Sequence, residues 1–378
     1  MKKQLLSLAI LGMAAIVGCS KKTESGPTST FVLNQNDLQG DIKDGTVVLK
    51  AGLSYSLTGP LNVKDGATLT IEEGVTVIAQ TDKGASNLFI SVERGGKIYV
   101  NGTATKPVTF TATGSERGAW GGIAIHGKAP NNVGINAASE INGVQYGGTD
   151  AADNSGSIRY AIIARSGAKN GDKEWNGLSF FSVGSGTVCE YVAIFNGNDD
   201  AFEWYGGTNN CSYLYAENND DDNFDYDLGY SGTLNYLYSI NSNTNASSDS
   251  RGMECDGNPD NNLATPATNP TVSNVTLIGR GATVATQREG IYLRRGVKGT
   301  ITNVFMKGFS VGVGVEHPAT IAAIGSPLKV NNITFSDVTT KTKGKDGTAS
   351  PDVSAVITEG AAATGAGNGA NKPSWVWF

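Results

Sequence analysis

The chain has 378 residues, with 29 Lys and Arg against 35 Asp and Glu, a formal net charge of −6. That sign and balance argue against nucleic acid and anionic lipid surfaces as partners. Two histidines, His126 and His317, leave little scope for imidazole acid–base chemistry.

The N-terminus, residues 1–19, reads as a targeting segment. Lys2 and Lys3 form a charged start, and Leu5 to Val17 is an apolar stretch too short to remain as a membrane-spanning helix. It ends in Ile16-Val17-Gly18-Cys19, which resembles the lipobox of bacterial lipoproteins. The resemblance implies that Cys19 is lipidated and becomes the first mature residue, so that the membrane itself is a partner. Loss of Lys2 and Lys3 takes the charge from −6 to −8. Ser20 stands where an Asp would resemble an inner-membrane retention signal, so an outer-membrane anchor is expected, on either face. Residues 20–40, rich in Ser, Thr, Gly and Pro, read as a flexible tether. The body is then anchored to the membrane and does not span it.

Residues 41–340 are expected to form one elongated all-β domain. Leu61-Asn62-Val63, Ala67-Thr68-Leu69-Thr70-Ile71 and Val75-Thr76-Val77-Ile78 alternate apolar and polar residues, with corners at Asp65-Gly66, Glu73-Gly74 and Gly95-Gly96. Trp120 to Ile125 continues the winding, residues 128–156 read as an excursion from the wall, and Ser157 to Ile163 re-enters it. Residues 176–317 then repeat one unit six times, with a closest spacing of 22 residues between Phe202 and Phe224. A period in the twenties built from strands and turns indicates a parallel β-solenoid.

Two expected inward columns run through these units: Leu178, Phe202, Phe224, Met253, Ile291, Val313, and Phe180, Trp204, Tyr226, Cys255, Leu293, Val315. The second strand of each unit is expected to turn inward Val188/Tyr191, Cys211/Leu214, Leu234/Leu237, Val272/Val275, Ile301/Val304 and Val330/Ile333. In that register Cys189 points outward and Cys211 inward, which disfavours a bridge between them.

The run Gly66 to Val75, with Gly95-Gly96-Lys97-Ile98, Trp120-Gly121-Gly122-Ile123 and Asn198 to Gly207, is similar to right-handed parallel β-helix lipoproteins of Bacteroidota and other Gram-negative bacteria. The resemblance implies a right-handed parallel β-helix of the pectate-lyase-like superfamily over roughly residues 45–340. It implies an outer-membrane receptor as a partner and capture of a nutrient or glycan. Fold alone does not carry an activity.

The outward columns carry the chemistry. One reads Ser179, Glu203, Asp225, Glu254, Tyr292, Gly314; the next reads Phe181, Tyr205, Asp227, Asp256, Arg294, Glu316. The turns before them add Asp199, Asp200, Asp220, Asp221, Asp222, Asp249 and Arg251. Like charges stacked at about 4.8 Å repel, so they call for a cation, a basic ligand or an arginine. Three readings compete. The first is a Ca²⁺ site at Asp225, Asp227, Glu254 and Asp256, with Asp256-Gly257-Asn258-Pro259-Asp260 showing the spacing of a calcium loop but lacking its Gly and bidentate Glu. The second is carbohydrate catalysis, by paired carboxylates or by Ca²⁺ with an Arg base; the candidates are Asp225, Asp227, Glu254 and Arg251, with Arg294 an alternative base. The third is a solvated acidic face, since Asp and Asn suit solenoid turns. Tyr205, Phe181, Tyr230 and Tyr292 beside the acids form an expected sugar platform. Arg288, Arg294, Arg295 and Glu316-His317 read as an ion-pair ladder or an anion site. No complete catalytic set is visible, so binding at Glu203, Tyr205, Asp225, Asp227, Glu254, Asp256, Tyr292 and Arg294 is favoured over catalysis. Residues 341–378 read as a low-complexity tail whose aromatic end, Trp375-Val376-Trp377-Phe378, docks on the helix or caps it.

Overall fold

The computed structural model describes residues 29–171, 173–242, 247–284 and 286–378. The signal segment, Cys19 and the start of the tether lie outside the described residues.

From Leu38 onward the chain winds as a right-handed parallel β-helix. Each coil adds one strand to each of three parallel sheets. The first sheet stacks Ile123–His126, Leu178–Phe181, Phe202–Tyr205, Phe224–Asp227, Met253–Asp256 and Glu289–Arg294. Strands such as Val188–Phe195, Asn210–Glu217 and Thr233–Ile240 bend in the middle and supply the second sheet with one half and the third with the other. The only α-helix among the described residues is the short turn Pro318–Ile321.

Both inward columns of the first sheet stack in the expected register, from Leu178↔Phe202 through Ile291↔Val313. Their side chains fill the bore: Phe202 lies 5.6 Å from Phe224, and Phe180 lies 5.7 Å from Trp204, as nearly parallel rings. Each such stack contributes about 0.5–1.5 kcal/mol beyond area burial.

The expected second-strand register is corrected at one rung. Val188 pairs with Asn210, and Cys189 and Val192, not Val188 and Tyr191, face the core opposite Cys211 and Leu214. The bend explains the slip. Tyr160, Tyr191, Tyr213 and Tyr236 take the corner with φ of 50–59°, followed by Asn274, Asn303 and Asn332 at 53–59°. Left-handed backbone costs a bulky residue about 1–2 kcal/mol. The tyrosines offset it by stacking at 4.4–4.8 Å between ring centres. Once Tyr191 occupies the corner, Cys189 must point inward, stacked on Cys211, so the expectation of opposed Cβ directions fails. Cys189, Cys211 and Cys255 are buried free thiols.

Regular structure does not stop at 340. Lys329–Lys345 is one wall strand, and Ile357–Glu359 adds a further partial rung. The rest of the tail runs back along the third sheet. Thr364 N donates to Asn303 Oδ1 at 3.0 Å, and Ala366 N donates to Thr276 Oγ1 at 3.0 Å. Trp375 then meets Tyr213, and Trp377 meets Tyr160 and Tyr191, edge to face. At the other end, Thr30 N donates to Asp44 Oδ1 at 2.7 Å, so residues read as tether lie against the first rung.

Two segments, 127–155 and 165–171 with 173–177, leave the wall and fold over the outside of the first sheet. Ile141, Tyr146 and Trp175 pack there against Phe181 and Tyr205. Gly121 admits this roof: a Cβ at that position would lie 1.9 Å from the Trp175 ring.

Candidate cation-binding site

Under the edge of this roof, ten carboxylates and two arginines line a cavity of about 240 Å³. The wall supplies Glu203, Asp225, Glu254 and Arg294. The turns between the third and first sheets supply Asp199, Asp200, Asp221, Asp222, Asp249 and Arg251, and the roof supplies Glu140, Glu174 and Asn176.

The turns put carboxylates here because each ties one coil to the next. Asp200 Oδ1 accepts from Asp222 N at 2.8 Å, and Asp222 Oδ1 accepts from Arg251 N at 2.7 Å. A short acid bonds the neighbouring backbone while its second oxygen remains for the cavity.

The two ends of the cavity differ in charge balance. At the C-terminal end Arg251, with 5% of its side chain exposed, contacts Glu254 at 2.8 Å, Asp249 at 3.0 Å, and Asp222 and Glu289 at 3.5 Å. Arg294 pairs with Glu254 and, at 2.8 Å, with Asp256, which Arg295 also contacts at 2.6 Å. Tyr292 lies 5.0 Å from both Arg251 and Arg294 in cation–π contact, and its hydroxyl donates to Glu316. Burial opposes the Arg251 charge, but Asp222, Asp249 and Glu289 outweigh it and hold its pKa above the ordinary value.

At the N-terminal end no ion pair reaches Asp200, Glu203 or Asp225 among the described residues. Burial and then mutual repulsion push all three well above the usual carboxylate range, Asp200 and Asp225 chiefly through Glu203, Glu203 chiefly through Asp227 and Glu140. Asp199 is pushed up to about 9 by burial and then by Glu174 and Asp221, and Asp221 up to about 8 by burial and then by Asp222 and Asp249. Asp222 and Asp256 rise only to about 6, because Arg251 and Arg295 respectively counter the burial. Asp199 Oδ2 and Asp225 Oδ1 have no hydrogen-bond partner although both are shielded from solvent. An unpaired buried carboxylate is costly.

Four carboxylate triads bring their ligand atoms within 4.8 Å of one another: Asp200/Glu203/Asp225, Asp222/Asp225/Glu254, Asp200/Asp221/Asp222 and Glu174/Asp199/Asp221. The expected metal set is therefore brought together only in part. Asp225 and Glu254 belong to triads. Asp227 and Asp256 belong to none among the described residues, and Asp256 is already neutralised by two arginines. The stretch from Asp256 to Asp260 does not wrap an ion; Asn258 Oδ1 turns back to accept from Asp260 N and Asn261 N at 2.9 and 3.0 Å.

Of the expected ligand-binding residues, Glu203, Tyr205, Asp225, Glu254 and Arg294 line the cavity, while Asp227, Asp256 and Tyr292 do not. The sugar platform is corrected. Phe181 and Tyr205 lie beneath the roof, 1% and 8% exposed, Tyr230 sits inside the bore donating to Asn209 O, and Tyr292 is held between arginines. Arg251 is an unsuitable general base, since its acids hold its proton. His126 is buried against Val92 O and Ser139 Oγ at 2.9 Å each, neutral with a pKa lowered to about 4 chiefly by burial, and takes no part in the cavity. Glu140 and Glu174 carried no sequence signal, because irregular excursions have no period. Asp199 and Asp200 did, through their recurrence as Asp221 and Asp222 one coil later.

Residues 40–377 match the family model described as "Pectate-lyase like beta helix domain". The chain belongs to this family. No curated protein and no solved structure matches it. Membership of the pectate-lyase-like family accounts for the wall that stacks the acids. The cavity itself lies below the roughly 300–1,000 Å³ of small-molecule sites. Its volume and donor set suit a hard cation with its waters.

Proposed function

We propose that this chain is a lipid-anchored outer-membrane protein that captures its ligand through a cation, Ca²⁺, held at the uncompensated end of the acidic cavity. Asp200, Glu203 and Asp225 are the primary ligands, with Glu254 and Asp222 adjoining. Bound there, the ion would offer open coordination positions to the oxygens of a glycan or an anionic nutrient at the cavity mouth, for delivery to an outer-membrane receptor. The observation that carries the reading is the contrast within one cavity: arginines neutralise one end, and buried carboxylates with an unpartnered oxygen crowd the other.

A second reading, calcium-dependent polysaccharide cleavage, is favoured by the family and by a basic shoulder next to the cavity. Arg288, Lys343 and Lys345, with Glu289, line a recess of about 350 Å³ there, beginning on the strand that carries Arg294. In that reading too, Arg251 holds acids in place.

Calorimetric titration of Ca²⁺ into the chelated, detergent-solubilised chain should show micromolar binding that weakens at least tenfold in Asp225→Asn. Absence of heat from the unsubstituted chain would defeat the proposal. Turnover of an acidic polysaccharide by the calcium-loaded chain would select the cleavage reading.

A further inference from the structure

The triad Glu174/Asp199/Asp221 shares no residue with Asp200/Glu203/Asp225 and joins different parts of the fold. Asp199 and Asp221 occupy equivalent places on successive coils, each three residues before the paired Phe202 and Phe224. Glu174 ends the hairpin formed by Lys169–Asn170 and Lys173–Glu174, in the second roof segment. Three carboxylates from two wall turns and one roof hairpin thus bring ligand atoms within 4.8 Å. Asp199 is only 3% exposed and its Oδ2 is unpartnered. Two successive coils therefore present this hairpin with carboxylate oxygens, and water is largely excluded from the deepest of them.

The only protein cation in contact with the triad, among the described residues, is Lys169, which pairs with Glu174. Its side chain is 50% exposed, and an exposed pair of this kind is worth about 0–1 kcal/mol. Its charge also acts through space on Asp199 and Asp221, but it leaves Asp199 Oδ2 without a hydrogen bond. A route from solvent exists as well. Glu174 and Asp221 also line an outer cleft of about 510 Å³, so the triad separates that cleft from the acidic cavity.

We propose that Glu174, Asp199 and Asp221 form a second divalent-cation site, distinct from the capture site, whose ion fastens the roof hairpin to the wall. The donors are carboxylate oxygens alone, from two turns and a hairpin, which suits Ca²⁺, tolerant of varied geometry, better than Mg²⁺, with its demand for octahedral geometry. Because Glu174 leads directly into buried Trp175 and Asn176, whose amide donates to Glu203, the same ion would hold the roof over the capture site. The inference extends the proposed function but stands on separate residues.

The test is calcium stoichiometry and hydrogen exchange on the full chain in detergent, for the unsubstituted protein, Asp200→Asn/Asp225→Asn, Asp199→Asn and Glu174→Gln. The unsubstituted chain should bind two equivalents, and calcium should slow exchange over residues 169–176 at least tenfold. Asp200→Asn/Asp225→Asn should keep one equivalent and the full protection of the hairpin. Asp199→Asn should keep one equivalent and lose the protection. Glu174→Gln, on the largely exposed hairpin, should behave alike and decides the matter should Asp199→Asn not fold. A single equivalent lost only in Asp199→Asn and Glu174→Gln would uphold this site while removing the capture site. Protection unchanged in both single variants, or abolished in Asp200→Asn/Asp225→Asn, would overturn the second site.

Discussion

Asp199, Asp200, Glu203, Asp221 and Asp225 all have pKa values raised in the folded chain. In the unfolded chain they ionise near 4. Between pH 6.5 and 8 the folded chain without cation therefore holds more protons than the unfolded one, and its stability falls as pH rises. Buried His126 works in the opposite sense, but only between its folded pKa of about 4 and its unfolded value of 6.5, outside this window. The melting temperature of the chelated chain is expected to drop steadily from pH 6.5 to 8, and saturating Ca²⁺ should flatten the slope by replacing the protons. A flat profile without calcium would mean that these acids are already ionised and compensated. The sequence exposed the stacking of Glu203, Asp225 and Glu254, because alternation along a strand is local. It did not expose which acids Arg251 and Arg294 would neutralise, since a long side chain chooses among partners on several coils.

At the scale of elements, the tail behaves as a strap along the third sheet. Trp377 covers Tyr160 and Tyr191, and Trp375 donates from Nε1 to Ala366 O at 2.8 Å while packing on Tyr213. These rings shield a corner whose backbone is strained at every tyrosine. Trp377→Ala is expected to destabilise the chain by roughly 1–2 kcal/mol, less than a buried Trp would cost because the ring is half-buried. Denaturant unfolding measures it, and an unchanged midpoint would mean that the tail is not bound in solution. The aromatic run announced docking, but its target could not be read, because the tyrosine ladder exists only after Tyr160, Tyr191, Tyr213 and Tyr236 are brought into one line by coils of unequal length.

The whole molecule is a one-dimensional stack in which each coil rests on its neighbours. Phe224 touches Phe202 on the coil before it and stacks in register with Met253 on the coil after. Phe224→Ala should therefore cost about 3–5 kcal/mol, visible as a lower urea midpoint, and should also weaken Ca²⁺ binding, since Asp225 is carried by the same strand. Unimpaired binding in that variant would separate the cavity from the packing beneath it. The amino-acid sequence by itself determined the parallel solenoid, its two inward columns and the acidic face, because period-two alternation repeated every coil is written in neighbouring residues. Only the tertiary structure decided that this face is roofed, that Glu140 and Glu174 join it, and that arginines silence one end of it. Those outcomes depend on where irregular segments land and on which charges meet across coils, and neither has a period to read.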